Sequence, residues 1–237
     1  MMRAGIKDNF LFFVPLIWQK RVFRAIVLIG VLGIIIVPVN FGLANVFSQL
    51  VAYKHERWLG EYNVNSKPDL EDIKGVTTLV EWMRALDEQH PHYLSLASSH
   101  YVWLSIFNPV EKRFYLELAY ELELKSVQRR PTWFMSYVNL AKIGYFIGRN
   151  PEQWLIYAER YGPHSIEVKS TYVSIVFEHW LTADSNLKAG ATRSLFSLIR
   201  FQPSLATRII SDLSNDAKDR ACRLVTMTQI ILPGCNT

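Results

Sequence analysis

The sequence predicts an all-α protein in which one N-terminal transmembrane helix precedes an α-solenoid of about four helix-turn-helix units. Three observations predict this fold. Residues 25–53 form a stretch of 29 residues without Lys, Arg, Asp or Glu. Beyond this stretch, apolar residues recur at the i, i+3, i+4 and i+7 spacing of amphipathic helices. Prolines also mark the starts of segments at intervals of 32 to 40 residues, which is the period of helical repeats.

The uncharged stretch is long enough to cross a bilayer. A hydrocarbon core of about 30 Å needs about 20 helical residues, each rising about 1.5 Å. The first part of the stretch, AIVLIGVLGIIIVPV, is almost wholly aliphatic, and the second part is more polar. Pro38 lies where the two parts join and is a candidate site for a helix kink.

The flanking charges predict the orientation of this anchor. The first 24 residues carry a net charge of +4, with Arg21 and Arg24 next to the apolar stretch. Positive flanks stay in the cytoplasm, so the remainder of the chain should lie in the periplasm of a bacterial inner-membrane protein. The alternative is a cleaved signal peptide. The apolar stretch is longer than a signal h-region and no clear A-x-A site follows it, so we favour an uncleaved anchor.

These observations divide the chain into four parts: a basic cytoplasmic tail at 1–24, a transmembrane helix at 25–53, connecting helices at 54–90 and a periplasmic helical-repeat domain at 91–237. The whole chain has a net charge of +5, and most of that charge lies in the tail. The folded part is therefore close to neutral. A domain that binds nucleic acid would keep its Lys and Arg excess there, so we expect no nucleic-acid partner.

Prolines and short polar segments predict the helix boundaries. The prolines that start segments are Pro91, Pro131, Pro163 and Pro203. Asn, Asp and Ser before the following runs are favourable N-caps, and Pro suits the first helical position. The predicted first helices are 92–107, 132–147, 164–182 and 203–213. Their partners are 109–127, 151–161, 186–201 and 216–231, and a further helix at 69–89 precedes them.

The second of these units resembles a tetratricopeptide repeat. Tyr137, Leu140, Ala141, Gly144 and Gly148 stand at the large, large, small, aromatic and turn-glycine positions of that repeat, and Gly144 departs from it by replacing the aromatic residue. Gln153 stands where the repeat usually has a small residue, and the other three units match less well. The resemblance implies helices that pack closely through small residues and that need neighbouring repeats to bury their other faces.

Cys222 and Cys235 are the only cysteines in the sequence. An oxidising periplasm would permit a disulfide between them, which would hold the C-terminal tail against the last helix. Two unrelated thiols are the alternative.

The sequence holds no recognisable catalytic or metal-binding motif. His90, His92 and His100 lack metal-ligand spacing, and we interpret them as polar residues at a helix entry. Glu117, Glu121 and Glu123 fit a solvated helix face better than a catalytic carboxylate pair. We expect neither an enzyme nor a bound cofactor.

An excess of aromatic residues in the repeat region gives the one candidate binding surface. A groove for a partner segment or a glycan could combine arginines with aromatic rings: Arg129, Arg130, Trp133, Tyr137, Arg149, Trp154 and Tyr161. The alternative is that the rings fill the core and that the arginines stabilise helix C-termini.

The overall layout, together with the stretch RRPTWFMSYVNLAKIGYFIGRNPEQW, resembles the membrane-anchored accessory proteins of bacterial exopolysaccharide loci of the VpsP type. This resemblance implies a non-enzymatic scaffold for an envelope complex, with polysaccharide polymerase or export components as partners besides the lipid bilayer. Two alternatives remain: a scaffold in pilus, secretion or cell-wall machinery, and a module that binds or modifies a glycan.

Overall fold

The computed structural model describes residues 16–63, 68–227 and 232–235. Residues 1–15 of the predicted basic tail lie outside the described residues. The described part of the chain is all-α, as predicted, and contains no β-strand. Its helices are α1 (Leu16–Asn63), α2 (Leu70–Leu86), α3 (Pro91–Phe107), α4 (Lys112–Arg129), α5 (Phe134–Ile147), α6 (Glu152–Tyr161), α7 (Ile166–Glu178), α8 (Ser185–Phe201), α9 (Pro203–Ser211) and α10 (Asn215–Thr226), and a 3-10 turn at Pro109–Glu111 precedes α4.

The boundaries follow local capping chemistry. Ser165 starts α7 by accepting hydrogen bonds from the Glu167 and Val168 backbone N–H groups, and Asp184 starts α8 by accepting one from Leu187. α5 ends at Gly148, which has a φ of 78° that few residues other than glycine adopt. Such interactions lie within a few residues of each other, so the sequence alone locates them well.

Pro131 and Pro163 lie in turns and not at the first positions of helices. α5 begins at Phe134 and α7 at Ile166, a few residues later than predicted. The Tyr137 hydroxyl donates a hydrogen bond of 2.7 Å to the Pro131 carbonyl, which fixes the turn before α5.

Consecutive helices run in opposite directions. Between α3 and α4, Ser98 donates to the Ala119 carbonyl at 2.9 Å, and Ser126 donates to the Pro91 carbonyl at 2.9 Å. The α2–α3 and α4–α5 turns therefore lie at one end of the domain, which we call the basal end. The α3–α4 and α5–α6 turns lie at the opposite end, which we call the apical end.

The α6–α7 turn also lies at the basal end, because it packs against the start of α5. A Cβ atom on Gly162 would lie only 2.5 Å from the Phe134 ring, so this contact excludes any side chain at residue 162. α4, α6 and α8 are the second helices of their pairs and run from apical to basal.

The buried apolar residues form three clusters. The first joins α1 to α2 and α3, the second lies between α4 and α5, and the third extends from α5 to the C-terminal residues. Cys222 and Cys235 belong to the third cluster and are joined as a disulfide, with Cα atoms 5.1 Å apart. This bond attaches residues 232–235 to α10.

The packed domain begins inside α1. Ala44, Ser48, Val51, His55 and Trp58 are all buried. They recur at alternating spacings of four and three residues, which places them on one stripe of the helix. Ala44, Phe47 and Val51, which lie within the predicted transmembrane helix at 25–53, pack in the first core cluster. The predicted connecting segment at 54–90 belongs to that cluster as well.

Replacing Trp58 by Ala should separate α1 from the rest of the domain. Trp58 is completely buried, so we expect a loss of about 3–5 kcal/mol in the free energy of unfolding. Urea unfolding of the detergent-solubilised chain, followed by near-ultraviolet circular dichroism, measures this loss. The matched control is Leu59→Ala, because Leu59 is 55% exposed, and it should change stability by no more than about 0.5 kcal/mol. Equal effects of the two variants would contradict the packing of α1.

Removing the disulfide should lower stability by about 3 kcal/mol, because the bond closes a short loop that is otherwise free in the unfolded chain. The melting temperature of the wild type should fall on addition of a reductant. The double variant Cys222→Ser, Cys235→Ser should melt at that lower temperature with or without reductant. A wild-type melting temperature unaffected by complete reduction would contradict the prediction.

Candidate functional site

The N-terminal part of α1 is an apolar helix with no protein around it. Every residue from 20 to 39 is exposed, including Arg21, Arg24 and Pro38, and the helix continues through Pro38. Between Arg24 and Ala44 lie 19 residues, which span about 28 Å as a helix. α1 is therefore long and apolar enough to cross a membrane.

A layer of buried aromatic and polar side chains fixes the C-terminal half of α1 to α2 and α3. The Trp58 indole N–H donates a hydrogen bond of 3.0 Å to Asp72 Oδ2 on α2. Lys54 and Arg57 form ion pairs with the same carboxylate. Burial raises the pKa of Asp72, but hydrogen bonds from Lys54 and Trp58 and the nearby positive charges outweigh it, and the pKa lies below its usual value.

His55 and His100 continue this layer as a chain of hydrogen bonds. The Thr77 hydroxyl donates to the Ile73 carbonyl at 2.9 Å, so it accepts from His100 Nε2, also at 2.9 Å. This assigns the proton of a neutral His100 to Nε2. Its Nδ1 then accepts from His55 Nε2, 3.4 Å away. His100 must therefore be neutral, because a protonated Nδ1 could not accept from His55.

The environment of the two histidines keeps them neutral. Burial lowers the pKa of His55 to about 3, with a further contribution from His100, and burial lowers the pKa of His100 to about 4. The prediction that His100 is a polar residue at a helix entry was wrong. It lies in the middle of α3, fully buried against α1 and α2.

Glu123 is also buried, and the prediction that it lies on a solvated helix face was wrong. It accepts hydrogen bonds from Ser95 at 2.8 Å and from Asn139 at 2.7 Å, which join α4 to α3 and α5. Burial raises the pKa of Glu123, and the hydrogen bonds from Asn139 and Ser95 oppose that rise. Glu121, two residues earlier on α4, is exposed as predicted.

The residues of the candidate groove lie in three different places. Tyr137 is buried, and its ring packs on Tyr157, Tyr161 and Trp154 with centroids 5.3 to 6.2 Å apart. These rings fill the space between α5 and α6. Trp154 also donates a hydrogen bond of 2.8 Å to the Tyr120 hydroxyl. This group is therefore a core cluster and not an open binding surface.

The arginines of the candidate groove are divided between the two ends of the domain. Arg149 lies at the apical end, 2.6 Å from a Glu117 carboxylate oxygen, and its guanidinium stacks on the Tyr120 ring. Arg129 and Arg130 lie at the basal end, and both are exposed. Arg130 stacks on Trp133 with its guanidinium carbon 4.0 Å from a ring centroid, and Trp133 is 37% exposed.

Two cavities lie beside α5. One, of about 220 Å³, lies between α3 and α5 and is lined by Trp103, Asn139, Lys142 and Phe146, among others. The other, of about 540 Å³, lies between the α5–α6 turn and α7, where the rings of Tyr145 and His179 meet at 5.2 Å. The first is an open concavity between α3 and α5, and the second opens at the apical end, where Leu155 of α6 and Leu187 of α8 also line it.

Within the described ranges, no group of three or more His, Cys, Asp or Glu side chains could hold a metal ion.

The chain matches no protein family model, no characterised protein and no solved structure.

The buried histidines make the free energy of unfolding depend on pH. In the unfolded chain both histidines take up protons below about pH 6.5, whereas in the folded chain they remain neutral down to about pH 4. Stability should therefore be fully present above pH 6.5 and fall as the pH drops towards 4, by at most about 2.7 kcal/mol per pH unit. Urea unfolding at a series of pH values measures this slope.

The matched controls separate this pair from other histidines. Replacing both His55 and His100 by Gln should flatten the slope between pH 6.5 and 5. His92→Gln should leave most of it, since His92 is exposed. A wild-type free energy of unfolding that is constant from pH 7 to 5 would show that the two imidazoles are not held neutral.

Proposed function

We propose that this chain is a single-pass bacterial inner-membrane protein that holds a helical-repeat scaffold in the periplasm for an envelope complex of exopolysaccharide assembly or export. The observation that carries the proposal is the division of α1 into an exposed apolar half and a half that packs into the domain. One unbroken helix would then connect the bilayer to the folded domain without a flexible linker.

The charges and the disulfide support the proposed orientation. Lys20, Arg21 and Arg24 precede the apolar segment, and residues 25–53 carry no formal charge. The positive-inside rule places such an N-terminal flank in the cytoplasm. The bond between Cys222 and Cys235 suits an oxidising compartment, which the periplasm provides.

The helix contacts support a stack of hairpins. α3 packs with α4, α4 with α5, and α5 with α6, while α5 also contacts α7 and α7 contacts α9. Contacts between the first helices of successive pairs are typical of α-solenoids, in which those helices line one continuous face. The tetratricopeptide-like spacing in α5 and α6 agrees with this interpretation.

One cavity on that face suits a protein partner. The cavity between α3 and α5 combines Trp103 and Phe146 with the polar groups of Asn139 and Lys142. A short segment of a partner could insert an apolar side chain into this cavity and form a hydrogen bond with the Asn139 side-chain amide. The resemblance to exopolysaccharide accessory proteins supports polymerase or export components as that partner.

Topology and phenotype test the proposal together. Alkaline phosphatase fused after Thr237 should be active, and deletion of the gene should abolish surface polysaccharide while pili and secretion remain normal. A C-terminal reporter that faces the cytosol would contradict the anchor. Loss of pili or secretion with normal polysaccharide would assign the scaffold to another machine.

Site-specific crosslinking tests the binding face. A photoreactive residue at Phe146, which lines the cavity between α3 and α5, should crosslink to an envelope protein in native membranes. Ile156 on α6 is exposed to a similar degree but lies outside both cavities, and it is the matched control. Equal crosslinking at the two positions would argue against this face as the binding surface.

A further inference from the structure

The basal end of the domain lies beside the point where α1 leaves its apolar segment. The Phe41 ring on α1 meets the His90 ring of the α2–α3 turn with centroids 6.1 Å apart. The Ser126 hydroxyl, near the end of α4, donates to the Pro91 carbonyl at the start of α3. The α4–α5 turn, which follows α4 directly, therefore lies at about the height of Phe41 along α1.

This height corresponds to the headgroup region of a bilayer crossed by α1. Ala44 is the first buried residue of α1 and marks the start of the packed domain, so the headgroup layer, about 5–7 Å thick, lies between it and the hydrocarbon core. About four helical residues cover that distance. The α4–α5 turn, and the α6–α7 turn that packs on it through Gly162, therefore face the headgroups and not open solvent.

These two turns carry unpaired arginines and aromatic rings. Arg129, Arg130 and Arg160 are exposed, and none of the three forms a salt bridge with a carboxylate in the part of the chain that the structure describes. Arg130 stacks on Trp133, and the Arg160 guanidinium carbon lies 5.8 Å from the Tyr161 ring centroid. We call Arg129, Arg130, Arg160 and Trp133 the basal arginine patch.

Charge is distributed unequally between the two ends of the helix pairs. The segments 129–133 and 160–164 contain no Asp or Glu, whereas acidic residues occur at each apical turn between α3 and α8: Glu111, Glu152 and Asp184. The α2–α3 turn is the exception at the basal end, because it carries Asp87 and Glu88. The two basal turns farther from α1 are thus net positive.

We propose that the basal arginine patch binds the phosphate groups of anionic lipids in the leaflet from which α1 emerges, an inference that rests on the proposed membrane span. Guanidinium groups match phosphate oxygens in a bidentate geometry, and Trp and Tyr are enriched at the depth of the headgroups. Lipid binding would select one direction of tilt of α1. It would also hold the face that carries the cavity between α3 and α5 in a fixed orientation above the bilayer.

A single fluorescent label on the full chain tests this contact. The native cysteines are joined to each other, so a maleimide dye reacts only with an introduced cysteine. Thr132→Cys places the dye beside the patch, and Val110→Cys places it at the apical end of α4, about 27 Å away. The protein is reconstituted into vesicles of phosphatidylcholine alone or with phosphatidylglycerol, and quenching by a lipid with a headgroup-attached quencher is measured.

We expect strong quenching at residue 132 and weak quenching at residue 110, with the signal at 132 increasing when phosphatidylglycerol is present. Arg129→Gln with Arg130→Gln should lower the ratio of docked to undocked protein by about fivefold for each arginine removed. The matched control removes two cations from the opposite end of the same helix: Lys112→Gln with Arg113→Gln should change nothing at residue 132.

The outcomes separate this inference from the proposed function. If the chain is extracted by alkaline carbonate, α1 does not span the membrane and both proposals fail. If the chain resists extraction but residues 132 and 110 are quenched equally, the anchor stands and the docking is wrong. Quenching at residue 132 could also be unaffected by lipid charge and by the arginine substitutions. This result would overturn phosphate binding, because the position of α1 alone would then explain why residue 132 lies near the bilayer.

Discussion

The buried stripe on the second half of α1 is the contact on which the rest of this structure depends. Ala44, Ser48, Val51, His55 and Trp58 place one face of a membrane-length helix into the first core cluster. The same helix is exposed and apolar over the preceding turns. A rigid helix that is shared by a bilayer and a domain transmits the position of one to the other, which no flexible linker could do.

The polar groups at this contact explain why it is specific. Asp72 receives hydrogen bonds or ion pairs from three side chains of α1, and His55 and His100 form a chain of directed hydrogen bonds that ends on Thr77. Apolar packing alone would tolerate a shift of α1 along its axis. A shift of one turn would leave these buried groups without partners, and such groups are costly to bury unpaired. The register of α1 therefore follows from hydrogen bonding as well as from burial.

The sequence predicted the helices more accurately than it predicted their surroundings. Helix ends depend on neighbouring residues, and Ser165, Asp184 and Gly148 are recognisable caps. The point where α1 joins the packed domain is harder to predict, since residues 44–53 continue an uncharged stretch and their buried side chains lie among other apolar residues. The spacing of Ala44, Ser48, Val51, His55 and Trp58 was the signal that could have revealed it.

The polar residues of the candidate site were also harder to predict than the helices. Hydrophobicity patterns assign histidine and glutamate to surfaces, so the burial of His100 and Glu123 could not be predicted from helix periodicity. Their partners, Thr77 and Asn139, come from other helices and are brought near only by the fold. Likewise, Arg130 and Arg149 are close in sequence but lie at opposite ends of α5, which separates the arginines of the predicted groove.

Cysteine scanning along α1 in native membranes tests the central contact most directly. Single cysteines at residues 36–60 would be treated with a membrane-impermeant maleimide. A helix shared between bilayer and domain should give no reaction up to about residue 43. Beyond it, residues 46, 50 and 53 should react, and residues 44, 48, 51 and 55 should be protected. Uniform protection through residue 53 would mean that the bilayer and not the domain surrounds this segment, and uniform reaction from 44 onward would mean that α1 is not packed at all.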